Sequence, residues 1–141
     1  MASINYKETE LWQRAKALLT ETYRLTQGWP DDGKDLANDI RSTVRQMVRA
    51  VPNAFKKGGI TGNVHLRMSK GQFAELDALC EAAEALRFVE SKSLRLLIDL
   101  SGPIEAEFGD LAKASQEHAR ELMKKRTRLF GGGFDEDDDD F

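Results

Sequence analysis

Apolar residues recur along this chain at helical, never at alternating, intervals. Leu11, Ala15, Leu18, Leu19, Thr22 and Leu25 share one face and predict a helix from about Tyr6 to Gln27. The stretch QGWPDDG then breaks it, because Gly28, Pro30 and Gly33 favour a turn and Pro30 drives Trp29 out of helical geometry. Leu36, Ile40, Val44, Met47, Val48 and Val51 form the face of a second helix, which Pro52 should end or kink, leaving AFKKG as a last turn before Gly58 and Gly59. GGITGN, residues 58 to 63, reads as a loop, with Asn63 placed to cap a third helix. That helix turns Leu66, Phe73, Leu76, Leu79, Cys80, Ala83 and Leu86 inward. Gly71 in its middle costs about 1 kcal/mol against alanine, a cost that close approach by a neighbouring helix or subunit would explain.

A fourth helix is predicted from Ser91, a good cap, to about Phe130. Leu94, Leu97, Ile98, Ile104, Phe108, Leu111, Ser115, Ala119 and Leu122 face inward. Gly102 and Pro103 interrupt it, so either one kinked long helix or two collinear ones are expected. No run of alternating β-branched residues bounded by turn signals occurs. The pattern therefore predicts an all-α, antiparallel up-and-down four-helix bundle over residues 1–130, followed by a flexible glycine hinge and acidic tail at 131–141.

The 141 residues fit one domain, long enough to bury a core without metal or disulfide support. Cys80 is alone and lies in an apolar stretch, so it is expected to be a small core residue, and a reducing compartment follows. No apolar run reaches the ~20 residues needed to span a bilayer, and MASINYKETELW lacks the basic-then-apolar order of a signal peptide. A cytoplasmic protein without membrane partners is expected.

The formal charge of −3 hides two regions of opposite sign. Six of the 24 acids and none of the 21 bases lie in the last eight residues, which leaves residues 1–133 with a net charge of +3. Within that body, Ile40 to Ala74 carries seven Lys or Arg and no acid. Arg41, Arg45 and Arg49 repeat every four residues and form a ridge beside the apolar face of the second helix. Lys56 and Lys57 extend the ridge, and Arg67 and Lys70 return on the next helix, so one hairpin gathers the positive charge. Such a track suits phosphates, with affinity from counterion release. Pairing of these arginines with acids on other helices or subunits, for example Glu75, Asp77 or Glu81, is the competing structural explanation. The block holds only Phe55 and Phe73 as aromatics, so sequence-specific readout is not suggested. MKKRTR supplies a second basic cluster in Lys124, Lys125, Arg126 and Arg128, where cations also suit a helix C-terminus.

Catalytic constellations are not found. His65 and His118 are far apart, no Cys/His set has metal-ligand spacing, and GGITGN lacks the lysine and following hydroxyl of a phosphate-binding loop. Asp77, Glu81 and Glu84 share helical spacing, without the Glu-x-x-His pairs of di-iron bundles, and read as a solvated face. A protein that is not an enzyme, with no cofactor and no metal, is expected.

LWQRA (Leu11 to Ala15), YRLT (Tyr23 to Thr26), GWP, Ile40–Arg41, VPN followed by KG (Val51 to Gly58) and GQFAEL (Gly71 to Leu76) resemble, in order, the landmarks of a small four-helix bundle family. That family is encoded in ribosomal RNA intervening sequences and includes the accessory variability determinant of diversity-generating retroelements. The resemblance spans residues 11 to about 111. It implies an antiparallel four-helix protomer assembled into a homopentamer and, for the retroelement member, a basic surface that meets nucleic acid and a reverse transcriptase. Lys56 and Lys57 stand where the family usually has alanine and glutamate, and the acidic tail lies outside its pattern.

FDEDDDDF, residues 134 to 141, resembles instead the tips of bacterial and phage single-stranded-DNA-binding proteins. This resemblance implies that Asp135, Glu136, Asp137, Asp138, Asp139, Asp140 and Phe141 dock replication or recombination partners and compete with DNA for the protein's own basic surface. The isolated aromatic at Phe141 has no folding role to play there, which favours a binding role. Beyond Gly131 to Gly133, eight residues at about 3.5 Å each reach roughly 28 Å, enough to cross a small domain's face. Together these features lead to an expected oligomeric, non-enzymatic protein of phage or mobile-element type. It would bind single-stranded nucleic acid, DNA in preference to RNA, without sequence specificity. The alternative is an accessory or scaffold subunit for a reverse transcriptase or ribonucleoprotein.

Overall fold

The computed structural model describes residues 5–55 and 60–129, with side chains from 69 onward in the second stretch apart from Ser115, Ala119 and Leu129. It is an antiparallel four-helix bundle: α1 (Glu10–Thr26), α2 (Lys34–Ala54), α3 (Ile60–Ala85) and α4 (Ser91–Leu129). Each helix packs on its neighbour in sequence, and α1 closes the ring against α4. No strand occurs among the described residues.

Helix α1 starts at Glu10, later than the apolar period suggests, because Thr9 is extended and its hydroxyl accepts from the Trp12 amide at 3.2 Å. Residues Tyr6–Glu8 form a separate 3₁₀ turn, and Tyr6 packs edge-on against Trp12 with ring centroids 5.1 Å apart. At the other end, Gly28 takes φ +76°, a conformation open to glycine without steric cost, and reverses the chain. Trp29 is not merely part of that turn. It is buried, donates from Nε1 to Leu25 O at 2.9 Å, and packs against Phe88 from the α3–α4 turn at 5.7 Å. The two turns therefore meet at one end of the bundle.

Helix α2 runs through Pro52 to Ala54, so the helix ends only two residues after the proline; lacking an N–H, Pro52 leaves the Val48 carbonyl without its helical donor, a loss confined to the end of the helix. The expected loop across residues 58–63 is shorter than its glycines suggest. Helix α3 begins at Ile60 and Asn63 lies inside it rather than at its cap. Extending a helix already nucleated adds about one backbone hydrogen bond per residue, which offsets the weak propensity of Thr61 and Gly62. At its C-terminus α3 ends in a left-handed Arg87 at φ 60°, with Phe88 N donating to Ala83 O at 3.3 Å. Helix α4 is one continuous element across Gly102 and Pro103.

The core is the four predicted stripes meeting, with Leu11, Leu18, Ile40, Leu76 and Leu97 fully enclosed and Phe73 edge-on to Phe108 at 5.7 Å. Two expected core positions lie outside it. Leu86 is 60% exposed because it falls past the end of α3, and Leu122 is 48% exposed because α4 outlasts the bundle. At 1.5 Å per residue, the 39 residues of α4 extend about 58 Å against about 25 Å for the 17 of α1. Leu66, Ser115 and Ala119 lie outside the described side chains.

Gly71 does not mark a close approach by another described residue, since a Cβ built there meets nothing within 4 Å. Gly71→Ala is accordingly expected to stabilise the fold by about 1 kcal/mol, raising the melting temperature by roughly 4 °C in a thermal denaturation measurement. An unchanged or lower midpoint would mean that another chain covers this face.

Candidate nucleic-acid interface

Four residues along an α-helix advance 400°, so each step from Arg41 to Arg45 to Arg49 turns the ridge by about 40° around α2. Arg41 consequently sits at the α1 flank, half-buried, while Arg49 stands exposed on the solvent face. The packing of α2 on α1 determines what the first two arginines meet. Arg41 Nε donates to Thr26 Oγ1 at 2.7 Å, and its Nη2 reaches Tyr23 O at 3.4 Å. Its guanidinium carbon lies 4.4 Å from the Tyr23 ring centroid, a cation–π contact. Arg45 Nη1 donates to the Tyr23 hydroxyl at 2.7 Å.

Thr26 is the hinge of this arrangement. Its buried hydroxyl donates to Thr22 O at 2.7 Å while accepting from Arg41, so the acceptor that positions Arg41 is itself fixed. Thr22 repeats the pattern with Leu18 O at 2.7 Å. A run of hydroxyl-to-carbonyl bonds inside α1 thus supports the arginine without supplying negative charge.

Three other cations on α1 and α2, by contrast, meet carboxylates. Arg14 bonds Glu10 at 2.8 Å and approaches Glu107 at 3.7 Å, Arg24 pairs with Glu21, and Lys34 meets Asp31 at 2.9 Å. None of the ion pairs among the described residues involves Arg41, Arg45 or Arg49. Within the chain, Glu75, Asp77 and Glu81 form no ion pair with them; all three acids are exposed on α3.

Across the other flank, Gln72 Nε2 donates to Gln46 Oε1 at 2.8 Å and links α3 to α2. In antiparallel helices this register brings exposed Lys70 level with Val48 and Arg49. Lys56 and Lys57 lie outside the described residues, as does the side chain of Arg67. Lys124, Lys125, Arg126 and Arg128 are exposed on the last turns of α4, which packs on α1 and α3 and so lies diagonally across from α2. They form a separate basic region, not a continuation of the ridge. Asp135, Glu136, Asp137, Asp138, Asp139, Asp140 and Phe141 lie outside the described residues.

Cys80 is buried, and desolvation, with a smaller contribution from Asp77, pushes its thiol up to about 12. It stays protonated and packs as a small apolar side chain. His118 is exposed, and the side chain of His65 is not among those described. No cluster of three or more His, Cys, Asp or Glu with metal-holding geometry occurs among the described residues. No helix among them is long and apolar enough to cross a membrane.

Sequence reasoning missed Tyr23 and Thr26 as parts of this surface. Their spacing, three apart on α1, places them on one side of that helix, but nothing in the periodicity pairs that side with Arg41. No protein-family model and no curated protein matches the chain.

Proposed function

We propose that the protein is a non-enzymatic, single-stranded nucleic-acid-binding module whose ridge of Arg41, Arg45 and Arg49, continued by Lys70, takes the phosphate backbone without sequence specificity. The observation that supports this reading is that Arg41 and Arg45 are positioned by the neutral groups of Thr26 and Tyr23, and no ion pair among the described residues involves the ridge, whereas Arg14, Arg24 and Lys34 meet carboxylates. Uncompensated arginines at one-turn spacing offer phosphate sites whose occupancy releases counterions, so binding weakens steeply with salt. The acidic segment at 134–141 then acts as a tethered competitor for the same cations and as a docking peptide for replication or recombination proteins.

The test is anisotropy of a labelled dT oligomer with the intact chain and with residues 134–141 deleted. Deletion is expected to tighten binding several-fold at about 50 mM salt and to make no difference near 0.3 M, where the Debye length is short. A chain that binds no oligomer in either form at low salt would rule the reading out.

One observation favours a second reading, an oligomeric scaffold or accessory subunit for a reverse transcriptase or ribonucleoprotein. The α4 extension presents Leu122 and Met123, 48% and 63% exposed, on a stretch that nothing in the bundle covers. A helix with apolar side chains beyond its own core suits a second copy or a partner helix. Light scattering on the intact chain and on Leu122→Ser/Met123→Ser separates the two: loss of an oligomer in the double variant supports this reading, and a monomer in both removes its support.

A further inference from the structure

We infer that Tyr23 is a base-stacking platform, so that the surface takes a single-stranded nucleotide as base and phosphate together rather than as phosphate alone. This rests on the nucleic-acid reading above and deepens it. Along α2 the basic block offers almost no aromatic surface, which by itself suggests a purely electrostatic track. Folding supplies the missing ring from α1. Tyr23 is 37% exposed, and it sits between the first two arginines of the ridge.

Three contacts define its orientation. The Arg41 guanidinium lies 4.4 Å from the ring centroid, Arg45 holds the hydroxyl at 2.7 Å, and Arg41 is itself anchored to Thr26 Oγ1 at 2.7 Å. A ring held at its face and at its hydroxyl loses little further freedom when a base stacks on it, which is the condition for a surface aromatic to contribute to affinity. The guanidinium against that ring is held by Thr26 Oγ1 and Tyr23 O, both neutral acceptors, and takes part in no ion pair among the described residues. Stacking surface and phosphate-binding charge therefore occupy one place, the combination found where single strands are bound irrespective of sequence. Arg45 and Arg49, one and two turns further along α2, continue the cationic track away from the ring by about 6 Å per step.

The proposal is tested by anisotropy with the full-length chain at low salt, using a labelled dT12 oligomer and an abasic deoxyribose-phosphate 12-mer of equal charge. The wild type is expected to bind dT12 roughly 10-fold more tightly than the abasic strand, within the range of a single base–aromatic stack. Tyr23→Leu should bring the ratio of the two affinities close to 1, whatever its effect on binding of the abasic strand, and Tyr23→Phe should keep most of the preference. Circular dichroism on both variants checks that the bundle is intact, and the abasic strand serves as an internal control for the ridge. Equal binding of the two strands by the wild type, or equal losses on both in Tyr23→Leu, would overturn the stacking role and leave the electrostatic reading standing. Failure of both the full-length chain and the chain lacking residues 134–141 to bind either strand would overturn the nucleic-acid reading itself.

Discussion

Replacing Arg41, Arg45 and Arg49 together by glutamine is expected to weaken binding of a single-stranded oligomer by about 100-fold at 0.1 M salt. Each phosphate contact to a single strand contributes a salt slope of about 0.7, so three lost contacts flatten the plot of log affinity against log salt by about 2, and at 0.1 M that slope corresponds to about two decades. The size of the effect depends on the arginines being free to pair with phosphate, which is what separates them from Arg14 and Arg24, each beside a glutamate. The matching replacement of Lys124, Lys125 and Arg126 provides the comparison, because those side chains lie diagonally across the bundle on the α4 extension. It should lower affinity far less. If both triple variants lose the same affinity and the same slope, binding follows net charge and the ridge has no special place in it. Glutamine retains a donor for Thr26 and Tyr23, so a melting curve close to wild type is expected from the ridge variant.

The second large effect concerns stability and contrasts two leucines on one helix. Leu97→Ala is expected to destabilise the bundle by about 3 kcal/mol, while Leu122→Ala should cost less than about 0.5 kcal/mol. Leu97 is fully enclosed where α4 packs on α1 and α3, so truncating it loses transfer free energy and leaves a cavity. Leu122 follows the same heptad-like spacing yet is 48% exposed beyond the bundle's end. Urea denaturation at two protein concentrations measures both. A cost at Leu122 that approaches the one at Leu97 and grows with concentration would mean that α4 packs its extension against a second copy.

The four helices were legible because burial of one face imposes a period on the residues, and this chain keeps that period with few exceptions. Thr22 occupies a core position in α1 as its place in the stripe requires, at the modest cost of a hydroxyl that its own helix satisfies at Leu18 O. Periodicity fails where an element outlasts its partners. The stripe from Leu111 to Leu122 continues smoothly, but a stripe records which side of a helix is apolar and not whether anything lies against it. The end of the core on α4 is therefore a consequence of the shorter length of α1 and of its packing. Gly71 shows the converse: a residue unfavourable to a helix suggested a packing reason, and no described residue of the same chain supplies it.

Charge behaved the same way at the candidate site. The i, i+4 repeat of Arg41, Arg45 and Arg49 follows from local order alone, since helical geometry puts such residues on one ridge. Whether a ridge of arginines is neutralised depends on groups distant in sequence, and the spacing carries no information about them. Only the packing of α1 on α2 decided that Arg41 meets Thr26 and the Tyr23 ring, fifteen and eighteen residues earlier in the chain, rather than a carboxylate. Local periodicity specified the helices and the positive block because both depend on near neighbours. The neutral partners of that block, the aromatic surface set within it and the length of α4 left uncovered came from long-range contacts, which a pattern along one helix does not encode.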